Sequence, residues 1–211
     1  MRKFLIAATS VAITACSSGD KTPLYETTGV SQPEQSCAVD PRSFATAEPI
    51  ADFDHGNGCG VTNGFKLYAI DGIKLSQPAV VTCNVANTLH NWIRQTAIPQ
   101  ASRVYGAEIS EIKIAASYAC RPRNNLRGAK LSEHGMGNAI DISGFTFDNG
   151  QQITVLENSY GSREDRQFLS TIRSEACGPF HTVLGPGSDA HHRDHLHFDL
   201  QRMRSGGAYC H

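Results

Sequence analysis

The chain lacks a long apolar run, an excess of basic charge and closely spaced cysteine pairs. A membrane-spanning helix needs about 20 consecutive apolar residues, and no such run follows the N-terminal segment. The formal net charge of −1 gives no global basic field that would indicate a nucleic-acid partner. No CxxC pair is present, which argues against a zinc finger. These absences leave a globular protein as the expected class. A chain of 211 residues with 40% hydrophobic content suits one domain with a sizeable core.

The N-terminus has the features of a targeting segment. Arg2 and Lys3 precede a short apolar stretch over residues 4–13, which is too short to cross a bilayer and fits a secretory signal. The stretch leads into Ile-Thr-Ala-Cys16, which resembles the bacterial lipobox, whose cysteine is lipidated after cleavage. The alternative is an ordinary signal peptide with an incidental cysteine. No aspartate follows Cys16, and by resemblance this favours sorting to the outer membrane.

We therefore expect three parts. Residues 1–15 are the signal peptide, residues 16–36 form a flexible polar tether, and residues 37–211 form the folded domain. The expected location is that of an exported outer-membrane lipoprotein facing the periplasm. Contact with the membrane is expected through the lipid anchor only.

The remaining cysteines are expected to form disulfides, because they are even in number, spread singly and follow an export signal. They are Cys37, Cys59, Cys83, Cys120, Cys177 and Cys210. Six cysteines allow fifteen connectivities, and the sequence does not select one. Buried free thiols are the alternative.

The hydrophobic pattern predicts an α+β domain with a small, mostly antiparallel sheet and helices on one side. Residues 65–70 and 73–75 flank Asp71 and Gly72, a pair typical of a two-residue hairpin turn. The other expected strands cover residues 111–119, 139–147 and 195–201, and residues 153–156 are expected to form a short strand or a loop edge. Residues 41–60, rich in Pro, Asp and Gly, are expected to be irregular.

Two amphipathic helices are expected. Apolar residues recur at spacings of three and four over residues 79–97, and this helix should stop near Pro99. At this spacing Trp92 is expected in the core. Residues 162–174 form the second helix, with Ser162 as a possible N-cap.

The stretch SEHGMGNAIDI over residues 132–142 places His134 and Asp141 seven residues apart. Two residues at that spacing face opposite sides of a straight strand, so they reach one site only if the chain bends between them. Gly135 and Gly137 allow such a bend. We therefore expect His134 in a turn and Asp141 on the following strand.

A second segment, DHLHFD over residues 194–199, alternates polar and apolar side chains. A strand would place His195, His197 and Asp199 on one face. A single histidine in such a position is usually a hydrogen-bonded core residue. Three histidines and two aspartates in two such segments instead predict a catalytic zinc site, which needs three protein ligands and one open position.

These two segments resemble the LAS group of zinc peptidases, the peptidoglycan D-alanyl-D-alanine carboxypeptidases and endopeptidases to which the hedgehog signalling domain is related. Further segments resemble the bacterial extensin-like C-terminal domain family over residues 37–211. They are GCGV (58–61), SYACRPRN (117–124) and TVLGPGSDAHHRDHLHFD (182–199). The proline-rich repeat of plant extensins is absent. The resemblance implies a hedgehog or D-Ala-D-Ala peptidase-like fold.

The resemblance also implies roles for individual residues. His134, Asp141 and His197 would be the zinc ligands, and His195 would hold and deprotonate the attacking water. Some relatives use a glutamate three residues before the last ligand as the base, and that position is Asp194 here. Either Asp194 or His195 could therefore act as the base.

Substrate-binding residues are implied in the same way. Arg121 stands where relatives keep an arginine that binds a substrate carboxylate or carbonyl, and Arg123 is the competing choice. Ser132 either binds substrate or braces its loop. Asp199 could orient a ligand imidazole. His191, His192 and His211 are expected to be loop or tail residues.

The expected function is that of a lipid-anchored periplasmic zinc peptidase with D,D- or L,D-carboxypeptidase or endopeptidase activity. Its expected cofactor is Zn²⁺, and its expected partners are peptidoglycan stem peptides or cross-links, with no nucleic acid. The alternative is a zinc-stabilised, non-catalytic module that binds cell wall or a protein. A third possibility is a disulfide-held structural domain without a metal.

Overall fold

The computed structural model describes residues 37–203 and 206–211. The expected signal peptide, the lipidated Cys16 and the tether lie outside the described residues. Within them the fold is α+β, as predicted, and it is built on a mixed sheet of nine strands. None of the helices in this part of the chain combines the length and the apolar character needed to cross a membrane.

The strands of the main sheet alternate with helices and turns along the chain. They are β1 (Ala45–Ile50), β4 (Gly64–Ile70), β5 (Ile73–Thr82), β6 (Ile109–Ala116), β7 (Ala139–Phe147), β8 (Gln152–Thr154), β9 (Thr182–Leu184), β10 (Leu196–Asp199) and β11 (Tyr209–Cys210). Their order is β1-β4-β5-β6-β7-β10-β9-β11, and β8 pairs with the second half of β7. The pairs β5–β6 and β9–β11 are parallel, and the other pairs are antiparallel. The predominance of antiparallel pairing was predicted, whereas the parallel pairs and the size of the sheet were not.

The predicted hairpin is confirmed. Asp71 and Gly72 have φ values of 48° and 82°, so both positions of the two-residue turn between β4 and β5 have positive φ. The prediction of irregular structure for residues 41–60 is wrong. The chain forms β1 there, paired with β4, and a separate two-stranded sheet of β2 (Phe53–Gly56) and β3 (Cys59–Val61).

The first helical region begins later and ends later than predicted. Residues 79–82 extend β5, and the side chain of Thr82 caps α1 (Cys83–Trp92). A π-helical segment, Ile93–Ala97, and α2 (Ile98–Tyr105) continue the helix past Pro99. The prediction that proline would end the helix is wrong because the backbone N–H of Ile98 already bonds to the carbonyl of Ile93, five residues back. This wider turn shifts the hydrogen-bond pattern immediately before a residue that has no N–H.

The second long helix follows the prediction closely. The short α3 (Val155–Asn158) precedes α4 (Arg163–Ala176), and the hydroxyl of Ser162 accepts a hydrogen bond from the Asp165 N–H, as an N-cap does. Trp92 lies in the core, where its ring packs against Phe198 and its Nε1–H donates to the carbonyl of Ile172 at 3.0 Å.

The expected disulfides are confirmed, and the structure supplies their pairing. Cys37 pairs with Cys83 at the start of α1, and Cys59 of β3 pairs with Cys120. Cys177, which follows α4, pairs with Cys210 of β11. The second bridge ties the small two-stranded sheet to the segment that leads to Arg121, and the third ties the C-terminal strand to the end of α4.

Candidate metal centre

A tight turn places His134 beside the strand that carries Asp141. The 3₁₀ turn Glu133–Met136 ends at Gly137, whose φ of 62° lies in the left-handed region. A Cβ on Gly137 would also come within 2.9 Å of the Val61 side chain. The predicted bend is therefore confirmed, and Gly137 allows it for two reasons: its positive φ and the close approach of β3.

The pairing of β7 with β10 brings the second motif to the first. His197 lies directly opposite Asp141 in this antiparallel pair. Leu196 and Phe198 point into the hydrophobic core, so His197 and Asp199 share the other face, as the alternation predicted. His195 immediately precedes the strand.

Three potential ligands for a metal ion converge at this point: His134, Asp141 and His197, whose donor atoms all lie within 4.8 Å of one another. His134 Nε2 lies 3.1 Å from Asp141 Oδ2 and 3.2 Å from His197 Nδ1. His197 Nδ1 lies 2.8 Å from Asp141 Oδ1. All three residues are buried.

The outer nitrogens of both histidines are already occupied. His134 donates its Nδ1–H to the carbonyl of Ser117 at 2.6 Å, and His197 donates its Nε2–H to Asp199 at 3.0 Å. In neutral imidazoles these bonds leave lone pairs on His134 Nε2 and His197 Nδ1, which face each other and the Asp141 carboxylate. Three acceptors that converge without a hydrogen between them repel one another unless a proton or a cation lies among them.

The donor set and its dimensions fit zinc. In a tetrahedral site with bonds of about 2.0–2.1 Å, neighbouring donor atoms lie about 3.3–3.4 Å apart. The observed separations of 2.8, 3.1 and 3.2 Å are close to this spacing. Two imidazoles and one carboxylate, with hydrogen bonds that hold both rings from behind, are typical of zinc sites.

The pKa shifts of the metal-free cluster also show that it favours a positive charge. Burial opposes ionisation of Asp141, but hydrogen bonds and charge from His134 and His197 outweigh it and hold the pKa of the carboxyl well below its usual range. Burial likewise opposes protonation of His197, but the hydrogen bonds to Asp141 and Asp199 outweigh it and raise the pKa of His197 to about 9. A proton therefore occupies, at neutral pH, the space that a cation would take.

His195 and Asp194 form a pair at the edge of this cluster. The Nδ1–H of His195 donates to Asp194 Oδ1 at 2.8 Å, and His195 Nε2 lies 3.7 Å from Asp141 Oδ2. The His195 side chain is 17% exposed, whereas that of Asp194 is 66% exposed. His195 is therefore the member of the pair that faces the cluster, and Asp194 holds it from the solvent side.

His192 is a site residue that the sequence analysis missed. It lies in the loop before β10, as expected, but it is buried, and its Nδ1–H donates to Asp189 Oδ1 at 2.8 Å. Its ring centroid lies 5.2 Å from that of His195 and 5.6 Å from that of His197. Burial lowers the pKa of His192, against the opposing effect of Asp189. The spacing of Asp189 and His192 is the only signal in the sequence, and it does not distinguish a loop contact from a site contact.

An open groove of about 900 Å³ contains the cluster. Both predicted arginines, Arg121 and Arg123, line it, as does Ser132. Arg123 lies 3.8 Å from the Glu133 carboxylate, whereas the guanidinium of Arg121 has no such partner among the described residues. The Ser132 N–H donates to the carbonyl of Arg121, so the backbone joins these two segments of the groove wall.

Comparison with known proteins gives a family but no individual relative. A family model described as Extensin-like protein C-terminus matches residues 35–211. No curated protein and no solved structure matches this chain. The match covers all the described residues, including both segments of the metal cluster and all three disulfides.

Proposed function

Since this chain belongs to the extensin-like protein C-terminus family, and since its buried donor cluster opens onto a groove, we propose that it is a zinc-dependent peptidase. The proposed substrates are the stem peptides or cross-links of peptidoglycan. The observation that carries the proposal is the convergence of His134, Asp141 and His197 beside His195, whose Nδ1 is held by Asp194. A purely structural metal site has no need of a further imidazole that faces it from the groove.

His134, Asp141 and His197 would hold the ion. A zinc ion supplies Lewis acidity at such a site, which polarises a carbonyl and makes water a nucleophile near neutral pH. Ser117 and Asp199 hold the two imidazole rings so that their other nitrogens face the Asp141 carboxylate, where an ion would be held.

His195 is the proposed general base. Its Nδ1–H is donated to Asp194, so its Nε2 presents a lone pair towards the cluster and can accept the proton of the attacking water. The Asp194 carboxylate would then stabilise the imidazolium that forms. This assigns the proton transfer to His195 and a positioning role to Asp194.

Arg121 is the proposed anchor for a substrate carboxylate. Its guanidinium lines the groove without a carboxylate partner in the described part of the chain, whereas Arg123 already approaches Glu133. The planar fork of arginine donors fits a carboxylate. Ser132, which lines the same wall, would contact the substrate backbone or hold the loop in place.

The proposed location of the protein is the periplasm, where a lipid on Cys16 would anchor it to the outer membrane. The support is the sequence of residues 1–36 alone, together with disulfides that suit an oxidising compartment. Labelling of expressed protein with a clickable fatty acid tests this, with Cys16→Ser as the control that should lose the label.

The decisive test of the activity is mass spectrometry of muropeptides incubated with the zinc-loaded protein. The panel should include D,D- and L,D-linked dimers and monomeric pentapeptides, because loss of a terminal residue indicates a carboxypeptidase and loss of a cross-link indicates an endopeptidase. A product is expected with zinc and none after chelation. Absence of any product across the panel would contradict the proposal.

The burial of the cluster favours a second candidate, a zinc-stabilised module that binds cell wall or a protein without cleaving it. The side chains of His134 and Asp141 are only 2% and 4% exposed. His195→Ala separates the two functions, because it removes the proposed base and none of the proposed ligands. If wall binding persists with zinc in place and neither variant nor parent yields a product, the binding function is correct. A third possibility, a domain without metal, fails if metal analysis finds about one zinc per chain.

A further inference from the structure

A second groove, of about 550 Å³, lies along the exposed face of α4. It shares no lining residue with the groove of the metal cluster. Its polar lining consists of hydroxyl, amide and guanidinium groups from Ser159, Tyr160, Arg163, Arg166, Gln167, Ser170 and Arg173. None of the described residues that line it is acidic, although the whole chain carries more acidic than basic residues.

The helical spacing explains why cations collect on this face. Arg166 and Arg173 lie three and ten residues after Arg163, so the three side chains share one side of α4. Glu164 and Glu175 lie on a different side at this periodicity. The remaining acidic residue of the helix, Asp165, accepts hydrogen bonds from Tyr105 and Asn158 instead. The cations of the groove therefore have no acidic counterpart on their own face.

Two of the three arginines donate to backbone carbonyls, Arg166 Nη1–H to Gly161 at 2.6 Å and Arg173 Nη1–H to Pro186 at 2.8 Å. Arg173 is the less exposed of these two. A Cβ on Gly185 would lie 3.2 Å from Arg173 Nε, so glycine leaves the room that the guanidinium occupies. No carboxylate forms an ion pair with Arg173 in the described part of the chain. Burial lowers the pKa of this half-buried guanidinium, although the neighbouring Tyr160 opposes the shift.

We propose that this groove binds a phosphate group of an anionic ligand. Arg173 offers its unused N–H donors from a fixed position, and Arg163 and Arg166 add positive charge at the open side. Arginine forks match phosphate oxygens in geometry and charge. The hydroxyls of Tyr160 and Ser170 and the amide of Gln167 can donate to the same oxygens. The volume suits a headgroup or a small phosphate ester.

The first test uses inorganic pyrophosphate, with binding measured by calorimetry on the metal-free protein, because pyrophosphate would also bind a zinc ion. Arg163→Gln/Arg166→Gln should weaken binding by about tenfold or more, because charge-assisted hydrogen bonds are lost. The control, Arg94→Gln/Arg103→Gln, removes the same charge from exposed positions outside the groove and should leave the affinity within about twofold.

Arg173→Lys adds a second measurement that depends on geometry rather than charge. It keeps the positive charge and removes the fork, so the proposal expects weaker binding at an unchanged melting temperature. If Arg173→Lys is unstable, the Arg163→Gln/Arg166→Gln variant alone tests the proposal. The proposal is overturned if pyrophosphate does not bind, or if the groove and control variants lose affinity equally.

The ligand could be a soluble phosphate ester or a lipid headgroup, and vesicles separate these sources. Co-sedimentation with phosphatidylglycerol vesicles, compared with phosphatidylcholine vesicles, detects headgroup binding. If pyrophosphate displaces the protein from the vesicles, and if the double variant no longer binds them, the groove binds a lipid phosphate. Binding of pyrophosphate without vesicle binding assigns a soluble phosphate ester. Neither result depends on peptidase activity, so this proposal and the proposed function can fail separately.

Discussion

His197 lies between two carboxylates, with Asp141 at one ring nitrogen and Asp199 at the other. This environment stabilises any positive charge in the cluster, whether it is a proton on the ring or a metal ion beside it. A proton and the proposed zinc ion would therefore compete for the same lone pair of His197. This competition would make metal affinity depend on pH, and binding of the proton alone makes the stability of the metal-free protein depend on pH.

The pKa of His197 predicts the direction of this dependence. In the unfolded chain the pKa of a histidine is about 6.5, and in the metal-free fold that of His197 is raised to about 9. The stability that this proton contributes is fully present below about pH 6.5 and is lost as the pH rises through 9. Calorimetry should therefore show a falling melting temperature of the metal-free protein over this window. The zinc-bound protein should not share this fall, and identical profiles would contradict the prediction.

Asp199 should affect zinc affinity without being a ligand. Asp199→Asn keeps the size of the side chain and removes the charge that strengthens His197 as a donor. We expect zinc affinity to fall about 10- to 100-fold, measured by competition with a chromogenic chelator. Asp194→Asn is the matched control, since Asp194 contacts His195 rather than a proposed ligand. Equal losses in both variants would indicate a general charge effect.

The proposed base and its partner should differ in the size of their effects. His195→Ala should lower kcat for a cleaved muropeptide by about 10²- to 10⁴-fold, because it removes the proton acceptor. Asp194→Asn should lower kcat less, because the Asp194 carboxylate is largely exposed and solvent screens it. Both variants should retain one zinc per chain. A larger loss in Asp194→Asn than in His195→Ala would make Asp194 the base.

The sequence predicted the residues of the cluster because their spacing is tied to local geometry. Alternation along a strand places His197 and Asp199 on one face, and glycine lets His134 turn towards Asp141. His192 could not be found in this way. Its burial depends on how the loop before β10 folds over the groove, which no local pattern encodes.

At the level of secondary structure, the turn between His134 and β7 is the critical connection. Gly137 has a positive φ and lies close to Val61 of the neighbouring small sheet. Any side chain there meets both a strained backbone and an occupied space. The turn that carries His134 is therefore also held by the strand that the Cys59–Cys120 bridge fixes.

Gly137→Ala should destabilise the domain by about 2–4 kcal/mol, the sum of backbone strain and overpacking. Gly150→Ala is the matched control, because Gly150 also has positive φ but would meet no neighbour. Its cost should be limited to about 1–2 kcal/mol of strain. Urea denaturation measures both. Similar losses in the two variants would show that the contact with Val61 does not matter.

Individual elements were predictable where one local signal dominates. The bounds of β7 match the prediction because its apolar run is bracketed by turn residues. Asp71 and Gly72 likewise determine the hairpin between β4 and β5. The first helix was harder, because Ala79 and Val81 fit both a strand and a helix pattern. Their place in β5 depends on pairing with β4, and the strands within residues 41–60 depend on pairing in the same way.

For the whole molecule, the Cys177–Cys210 disulfide holds a remote segment at the groove. The bridge between Cys177 and Cys210 closes a separation of 33 residues and keeps β11 beside β9. Tyr209 of β11 lines the groove of the metal cluster. The C-terminal strand therefore completes one wall of the groove.

Cys177→Ser/Cys210→Ser should lower the free energy of unfolding by about 2–4 kcal/mol and raise KM for a cleaved muropeptide. The KM should rise because Tyr209 is no longer held at the groove, whereas zinc content should stay the same. Cys37→Ser/Cys83→Ser is the control, since this bridge lies away from the groove lining. It should reduce stability by a similar amount and leave KM unchanged. An unchanged KM in both variants would contradict a role of the Cys177–Cys210 bridge in substrate binding.

The pairing of His197 with Asp141 across two strands also determines when metal can enter during folding. The two residues are 56 positions apart, and they meet only after β10 has paired with β7 in the correct register. In a zinc finger the close ligand pairs allow metal to bind early and to direct folding. Here the long loop must close first, so the proposed zinc ion would enter after the strands have assembled. The rate of zinc uptake by the refolding chain would therefore report the completion of the sheet rather than its beginning.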